Sequence, residues 1–168
     1  MNVYLFQPQY AVEIRDEPTY WIPYSAGCLW SYVTQFPEIA NNFSLQDIIF
    51  RREPINDLVS RINEPTICGF SCYVWNEKYC LEVAKHIKAK WPACVIVFGG
   101  PNVSKRYLNY EFVDSIILAE GEQSFHALLM QIYNNQQITP IFEPVRLQEL
   151  DFPSPYTQGI FDSIIEQH

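Results

Sequence analysis

Basic charge is scarce in this chain. Eleven Lys and Arg stand against nineteen Asp and Glu, and the net charge is -8. Nucleic acids and anionic membranes are met through Lys and Arg on phosphates, so neither is expected as a partner. Arg51-Arg52 and the lysines between positions 85 and 90 read as solvated faces. Long apolar runs are missing too, and nothing approaches the roughly 18 residues of a membrane span. The opening stretch, MNVYLFQPQY, lacks the basic n-region and small-residue cleavage site of a signal peptide. The five cysteines, Cys28, Cys68, Cys72, Cys80 and Cys94, form no CxxC pair. Cys68 and Cys72 would lie about 13 Å apart along a strand, too far to share one tetrahedral ion. Small core thiols in a reducing, cytoplasmic compartment are the expectation. No metal site is expected, and no Ser-His-Asp set or paired-carboxylate constellation marks a catalytic centre. No Gly-x-Gly-x-x-Gly or P-loop follows the first apolar segment, which argues against a nucleotide or flavin binder.

What is present is a globular composition with 48% hydrophobic residues, enough in 168 residues for one full core. Apolar β-rich runs at 2–7, 45–51, 66–73, 93–98 and 114–118 read as strands. Helical spacing covers 22–36, with Pro37 as its stop, then 54–62, and 76–91 with Asn76 as cap. A weaker helix is read at 103–112 and a last one at 122–133. Past Asn134 the periodicity fades into a Pro-rich segment, where only 160–165 has a helix-like apolar pattern. Strands apolar on both faces, alternating with helices, predict an α/β fold. The expected form is a flavodoxin-like, Rossmann-like doubly wound sheet of five parallel strands, order 2-1-3-4-5, with helices on both faces. Ligands of such sheets sit beyond the carboxyl ends of the strands, beside strands 1 and 3.

Three segments fall at that edge. They are Ser71-Cys72-Tyr73-Val74-Trp75-Asn76, Phe98-Gly99-Gly100-Pro101-Asn102 and Ala119-Glu120-Gly121-Glu122. Tyr73-Val74-Trp75 puts bulky apolar groups where a strand normally meets water. The paired glycines let backbone approach a bulky ligand, so a valine at Gly100 is expected to block a ligand and spare the core. Free N–H groups at the start of the last helix can hold a polar group, although Glu120 and Glu122 also suit a helix start without one.

Gly69-Phe70-Ser71, Tyr73-Val74-Trp75-Asn76, Val97-Phe98-Gly99-Gly100-Pro101 and Glu120-Gly121-Glu122 follow in this order, with Gly99 28 positions after Ser71. In that combination the chain resembles the cobalamin-binding domain that precedes the barrel of B12-dependent radical SAM proteins. Ser71-x-Tyr73 is similar to that family's Ser-x-Leu motif. The stretch LQELDFPSPYTQGIFDSI, residues 147–164, resembles a linker into the radical SAM barrel.

The resemblance implies a cobalamin-binding-like domain over 1–139 and a linker or tail over 140–168, leading to a barrel that this chain lacks. It also implies a cofactor site made of Ser71, Cys72, Tyr73, Val74, Trp75, Gly99, Gly100, Pro101, Asn102, Glu120, Gly121 and Glu122. The corrinoid and a radical SAM barrel, in cis or in trans, would be its partners. Methyl transfer is the expected service in the full protein, with no catalysis from this chain alone. Two family motifs are absent. The Asp-x-His-x-x-Gly that supplies a cobalt ligand has no counterpart, and His86, His126 and His168 fall on predicted helices or at the end. A protein His is therefore not expected under the cobalt. The Cys-x-x-x-Cys-x-x-Cys cluster is also missing, so no iron–sulfur cluster is expected here. The alternatives are a flavodoxin-like partner-binding module without cofactor and, more weakly, a nucleotide or flavin binder. Phe152, Tyr156 and Phe161 are too apolar for a solvated linker, so the tail is expected to fold back on its own domain or to mediate self-association.

Overall fold

The structure, a computed structural model, describes residues 1–14, 17–145 and 153–166. Asp16 of the first long loop, residues 147–152 of the tail motif and His168 lie outside the described residues.

The elements run β1 (Asn2–Gln9), β2 (Val12–Ile14), β3 (Glu17–Thr19), α1 (Tyr24–Val33), α2 (Pro37–Asn42), β4 (Ser44–Arg51), α3 (Ile55–Arg61) and β5 (Pro65–Ser71). They continue with α4 (Glu77–Lys90), β6 (Val95–Gly99), a 3-10 turn (Lys105–Asn109), β7 (Ser115–Ile117), α5 (Glu122–Tyr133), β8 (Ile141–Phe142) and α6 (Asp162–Ile165). The main sheet has the order β4-β1-β5-β6-β7-β8, and every neighbouring pair is parallel. The α/β Rossmann-like class expected from the alternation is what forms. The expected order 2-1-3-4-5 survives within it, but the count of five is corrected to six. Ile141 and Phe142 add a strand, held by Ile116 N–H to Pro140 O and Leu118 N–H to Phe142 O. Two residues inside a Pro-rich stretch carry no periodicity, so only the tertiary pairing makes them a strand.

Strand parity divides the core. Val3, Leu5, Ile67, Val97 and Ile117 face α1 and α5, while Tyr4, Phe6, Cys68, Phe70, Ile96 and Phe98 face α3 and α4. The register aligns Phe6, Phe70 and Phe98. Their rings stack across the strands at 4.4 and 4.8 Å, and Tyr107 closes the row at 5.2 Å.

Local readings are corrected in four places. Pro37 does not merely stop a helix; it occupies the first turn of α2, where its missing N–H costs nothing. The helix at 103–112 shrinks to the 3-10 turn. β1 runs through Pro8 to Gln9, with its register to β4 broken around the proline, which cannot donate to the ladder. A small antiparallel pair, β2 with β3, occupies the segment read as loop.

The described tail folds over α1. Phe161 is buried against Gly27, where a Cβ would lie 2.1 Å from its ring. Tyr156 meets the edge of Phe161 and stacks on Tyr24, and Ser31 Oγ donates to the Pro153 carbonyl.

Candidate functional site

A crevice of about 240 Å³ opens at the carboxyl ends of β1, β5, β6 and β7, between the sheet and helices α1 and α5. It exists because one face of the sheet is short of side chain there. Leu5, Gly69 and Val97 are neighbours in register on that face. A Cβ on Gly69 would meet Leu5 at 3.0 Å, Val97 at 3.7 Å and Phe125 at 3.8 Å, so these three side chains close over the glycine at the back of the crevice. Two residues farther along, Ser71 pairs with Gly99, again with little bulk. Ala26 and Leu29 of α1 and Phe125 of α5 close the other side.

The mouth is polar but uncharged on the β1 side. Ser25 Oγ donates to Gln7 Oε1 at 2.7 Å, and the Ala26 N–H reaches the same oxygen at 3.2 Å. Ser25 Oγ then lies 3.2 Å from Ser71 Oγ and 3.5 Å from the Tyr73 hydroxyl. With its own proton committed to Gln7, Ser25 Oγ keeps two lone pairs and can accept from both of these hydroxyls. Glu120 and Glu122 line the opposite side, and no Lys or Arg is among the lining residues.

The β5–α4 loop is tied by one residue. Asn76 is 1% exposed and does not cap α4 as expected. Its Oδ1 accepts from Tyr73 N–H at 2.8 Å, and its Nδ2 donates to Ser71 O at 3.0 Å and to Pro8 O at 3.1 Å. The amide thus joins the ends of β1 and β5 and holds Tyr73-Val74-Trp75 outward. Tyr73 and Trp75 stack at 4.6 Å, and Val74 and Trp75 stay 80% and 56% exposed at the rim.

The twelve expected site residues do not all meet. Ser71, Tyr73, Gly99, Gly100, Pro101, Glu120, Gly121 and Glu122 line the crevice. Val74 and Trp75 are exposed and do not line it, although Trp75 stacks on Tyr73, which does. Cys72 is buried in the core on the α4 side, with Cys80 and Tyr107, because strand parity turns it away from Ser71. Asn102 is spent on the loop itself: its Nδ2 donates to Glu77 Oε2 at 2.8 Å, and its N–H bonds to Cys72 O. Glu77 Oε1 also accepts from Arg106 and from the Tyr107 hydroxyl at 3.0 Å. Burial first, then neighbouring Cys72 and Glu77, pushes the Tyr107 phenol well above its usual range.

Gly100 has a different role from the one expected. Its φ is +103°, and a Cβ would lie 2.7 Å from Cys72 O and 2.9 Å from Cys72 N. The glycine seats the β6 loop on the β5 loop, so a valine there strains the fold before it meets any ligand. Gly99 is the open position, with its nearest neighbours on Ile117 at 3.7 and 3.8 Å.

The reading of the sequence missed Gln7, Ser25, Leu29, Gly69 and Phe125 as site residues. Parity along β1 and β5 could have found Gln7 and Gly69; Ser25 lies in the first turn of α1, and no pattern in the sequence marks it as facing the crevice. Neither His86 nor His126 reaches the crevice. His86 pairs with Glu82 on α4, and His126 stacks on Phe36 at 3.8 Å, where burial lowers its pKa. Among the described residues no group of three or more His, Cys, Asp or Glu could hold a metal ion, and no helix is long and apolar enough to cross a membrane.

No family model matches this chain. It is similar to two methyltransferases. One is the cobalamin-dependent radical SAM methyltransferase TokK of Streptomyces tokunonensis, 32% identical over 176 aligned positions that cover 93% of this chain and 26% of that protein. The other is a 2-(S-pantetheinyl)-carbapenam-3-carboxylate methyltransferase of Streptantibioticus cattleyicolor, 27% identical over 164 positions, or 86% of this chain and 24% of that protein. The chain thus spans about a quarter of the length of the curated relatives it matches.

Proposed function

We propose that this chain is the cobalamin-binding module of a B12-dependent radical SAM methyltransferase. The observation that carries the reading is the crevice: an apolar slot with a hydroxyl-lined mouth, opening at the topological switch point beneath an exposed aromatic rim. The similarity to a protein named as cobalamin-dependent supports it.

The residues present fit the cofactor in its two parts. The slot beside Ser71 and Gly99 would take the nucleotide tail, with Gly100 and Pro101 along one wall. Tyr73, Val74 and Trp75 would form an apolar seat for the corrin and keep water from its lower face. Cobalamin, when bound, supplies a cobalt centre that carries a methyl group. The chain's own residues bind, orient and desolvate; a barrel in cis or in trans would bring the substrate and the S-adenosylmethionine chemistry. In this reading residues 1–139 hold the cofactor, and the segment from 140 onward leads toward that barrel. Two carboxylates and no cation on the lining disfavour a nucleotide polyphosphate in the same slot.

The test is retention of corrinoid. The chain mixed with hydroxocobalamin and desalted should keep corrin absorbance in about equimolar amount with protein, under the slot's one-site reading. A colourless eluate sinks the cofactor reading and leaves a partner-binding module. The cob(II)alamin complex should lack the nitrogen superhyperfine splitting of an axial imidazole in electron paramagnetic resonance. Splitting that disappears in His126→Ala or His86→Ala would overturn the placement of Tyr73-Val74-Trp75 under the cobalt.

A further inference from the structure

We infer that β4 is the surface through which two copies of this chain pair, edge to edge and antiparallel, with Ile49 of one copy opposite Ile49 of the other. The inference stands apart from the cobalamin reading, because no β4 residue lines the crevice.

The two edges of the main sheet are unlike. β8 closes one edge with two residues, while β4 ends the other with eight, and no described strand lies against its outer side. Backbone groups along such an edge form a template for another strand, and proteins blunt it with proline, lysine, a bulge or a covering element. β4 has neither proline nor lysine, and Ile48, Ile49 and Phe50 at its centre are apolar. Its bulge is at Gln46, where Val3 pairs with Leu45 but Tyr4 with Asp47. From Asp47 onward the alternation is regular: Ile49 faces α3 and α4, and Ile48 and Phe50 face α1 and α5. A groove of about 390 Å³ lies along residues 47–51, with Arg61 of α3 on one bank and Ser163 and Ile164 of α6 on the other.

Charge selects both the occupant and the register. Two copies that join into one sheet are related by a two-fold axis perpendicular to it, so opposite residues point to the same face and the axis passes through a residue. Centred on Asp47 or on Arg51, the pair sets like charges against each other. Centred on Ile48, it sets Asp47 against the apolar Ile49. Centred on Phe50, it sets Asp47 against Glu53. Centred on Ile49, it sets Asp47 against Arg51 twice and Ile48 against Phe50 twice. A second copy always carries this complement; a foreign strand has no reason to. Asp47 Oδ2 takes Arg61 at 2.9 Å, and its side chain is 41% exposed, so the carboxylate has room for a second cation. The Arg51 guanidinium lies over the Tyr20 and Phe50 rings, 5.2 Å from each centroid, beside the same groove. Because the paired strands run in opposite directions, the two crevices open at opposite ends of the joined sheet.

The experiment follows the mass of the full chain by sedimentation equilibrium as it is diluted from about 100 μM to about 1 μM, the range in which a small interface dissociates. A dimer at the upper end is expected, and a monomer throughout overturns the inference. Two variants read the register. Arg51→Asp sets Asp against Asp across the pair, and Asp47→Arg sets Arg against Arg, so each alone should dimerise about ten-fold or more weakly than the parent. Mixed one to one, the two variants restore both opposite-charge pairs, and the mixture should regain the dimer. Variants that dimerise as well as the parent overturn the inference, and so does a mixture of folded variants that stays monomeric. Asp47→Arg gives up the tie to Arg61, so amide hydrogen exchange on the parental chain supplies a measurement that needs no substitution. Protection of residues 47–51 should rise with concentration. A dimer that leaves their exchange unchanged is built on another surface and overturns the inference.

Discussion

At the carboxyl ends of β1, β5 and β6 the two faces of one sheet are built from alternate residues of the same strands, yet one face is full and the other hollow. On the α3/α4 side Phe6, Phe70 and Phe98 stack with their rings nearly parallel across the strands and Tyr107 finishes the row. On the α1/α5 side the intervening positions are Gly69, Ser71 and Gly99. Period-two alternation lets a strand do both at once. The stacked face fixes the positions of the strand ends, so the hollow face keeps its shape without side chains of its own. The rigidity needed for a preformed slot is thus supplied from the far side of the sheet.

That division can be broken from the full side with the largest effect. Phe70→Ala removes the central ring of the stack and should cost about 3–5 kcal/mol, read as a lower midpoint in urea. A loss under about 1 kcal/mol would mean the stack is not what sets the strand ends. The tail gives an intermediate effect. Phe161 fills the place left open by Gly27, so deletion of residues 147–168 uncovers α1 and should lower the melting temperature by several degrees, the shift expected for about 1–2 kcal/mol in a domain of this size. No described tail residue lines the crevice, so corrinoid retention should largely persist. An unchanged melting temperature and apparent mass would identify the segment as a free linker.

Gly100 tests the joint between the two regions. Its backbone lies in the left-handed region against the Cys72 peptide, so Gly100→Val should destabilise by about 1–3 kcal/mol. A variant with parental stability would restore the idea that this glycine serves the ligand alone.

The order of strands and the edge that holds the slot were legible in the sequence. Five runs of Val, Ile and Phe alternate with helical spacing, and that topology leaves few choices for where a ligand sits. The finer assignments needed facts that no local pattern carries. Cys72 sits beside Ser71 in the chain and opposite it in space, so reading the loop as one block put a core thiol among the site residues. Asn76 has the spacing of a helix cap, but three backbone groups of neighbouring loops compete for its amide and win. Gln7 and Ser25 meet only when β1 and α1 are folded against each other, 18 residues apart. β8 is two residues long and gains strand identity from β7 alone.

The smallest effect on stability is expected at Gly99, and it is the sharpest test of the hollow face. A Cβ there meets only Ile117, at ordinary van der Waals distances of 3.7 and 3.8 Å. The position is in a strand, where valine is at home. Gly99→Val should therefore change unfolding free energy by less than about 1 kcal/mol. It nevertheless places two methyl groups beside Ser71 at the mouth of the crevice. Retention of hydroxocobalamin after desalting should fall sharply while the melting temperature stays near that of the parent. Phe70→Ala and Gly99→Val then form a pair, one acting on the fold and one on the slot, from positions on the two faces of adjacent strands. If Gly99→Val keeps its corrinoid, the hollow at this end of the sheet is a packing defect and not a binding site.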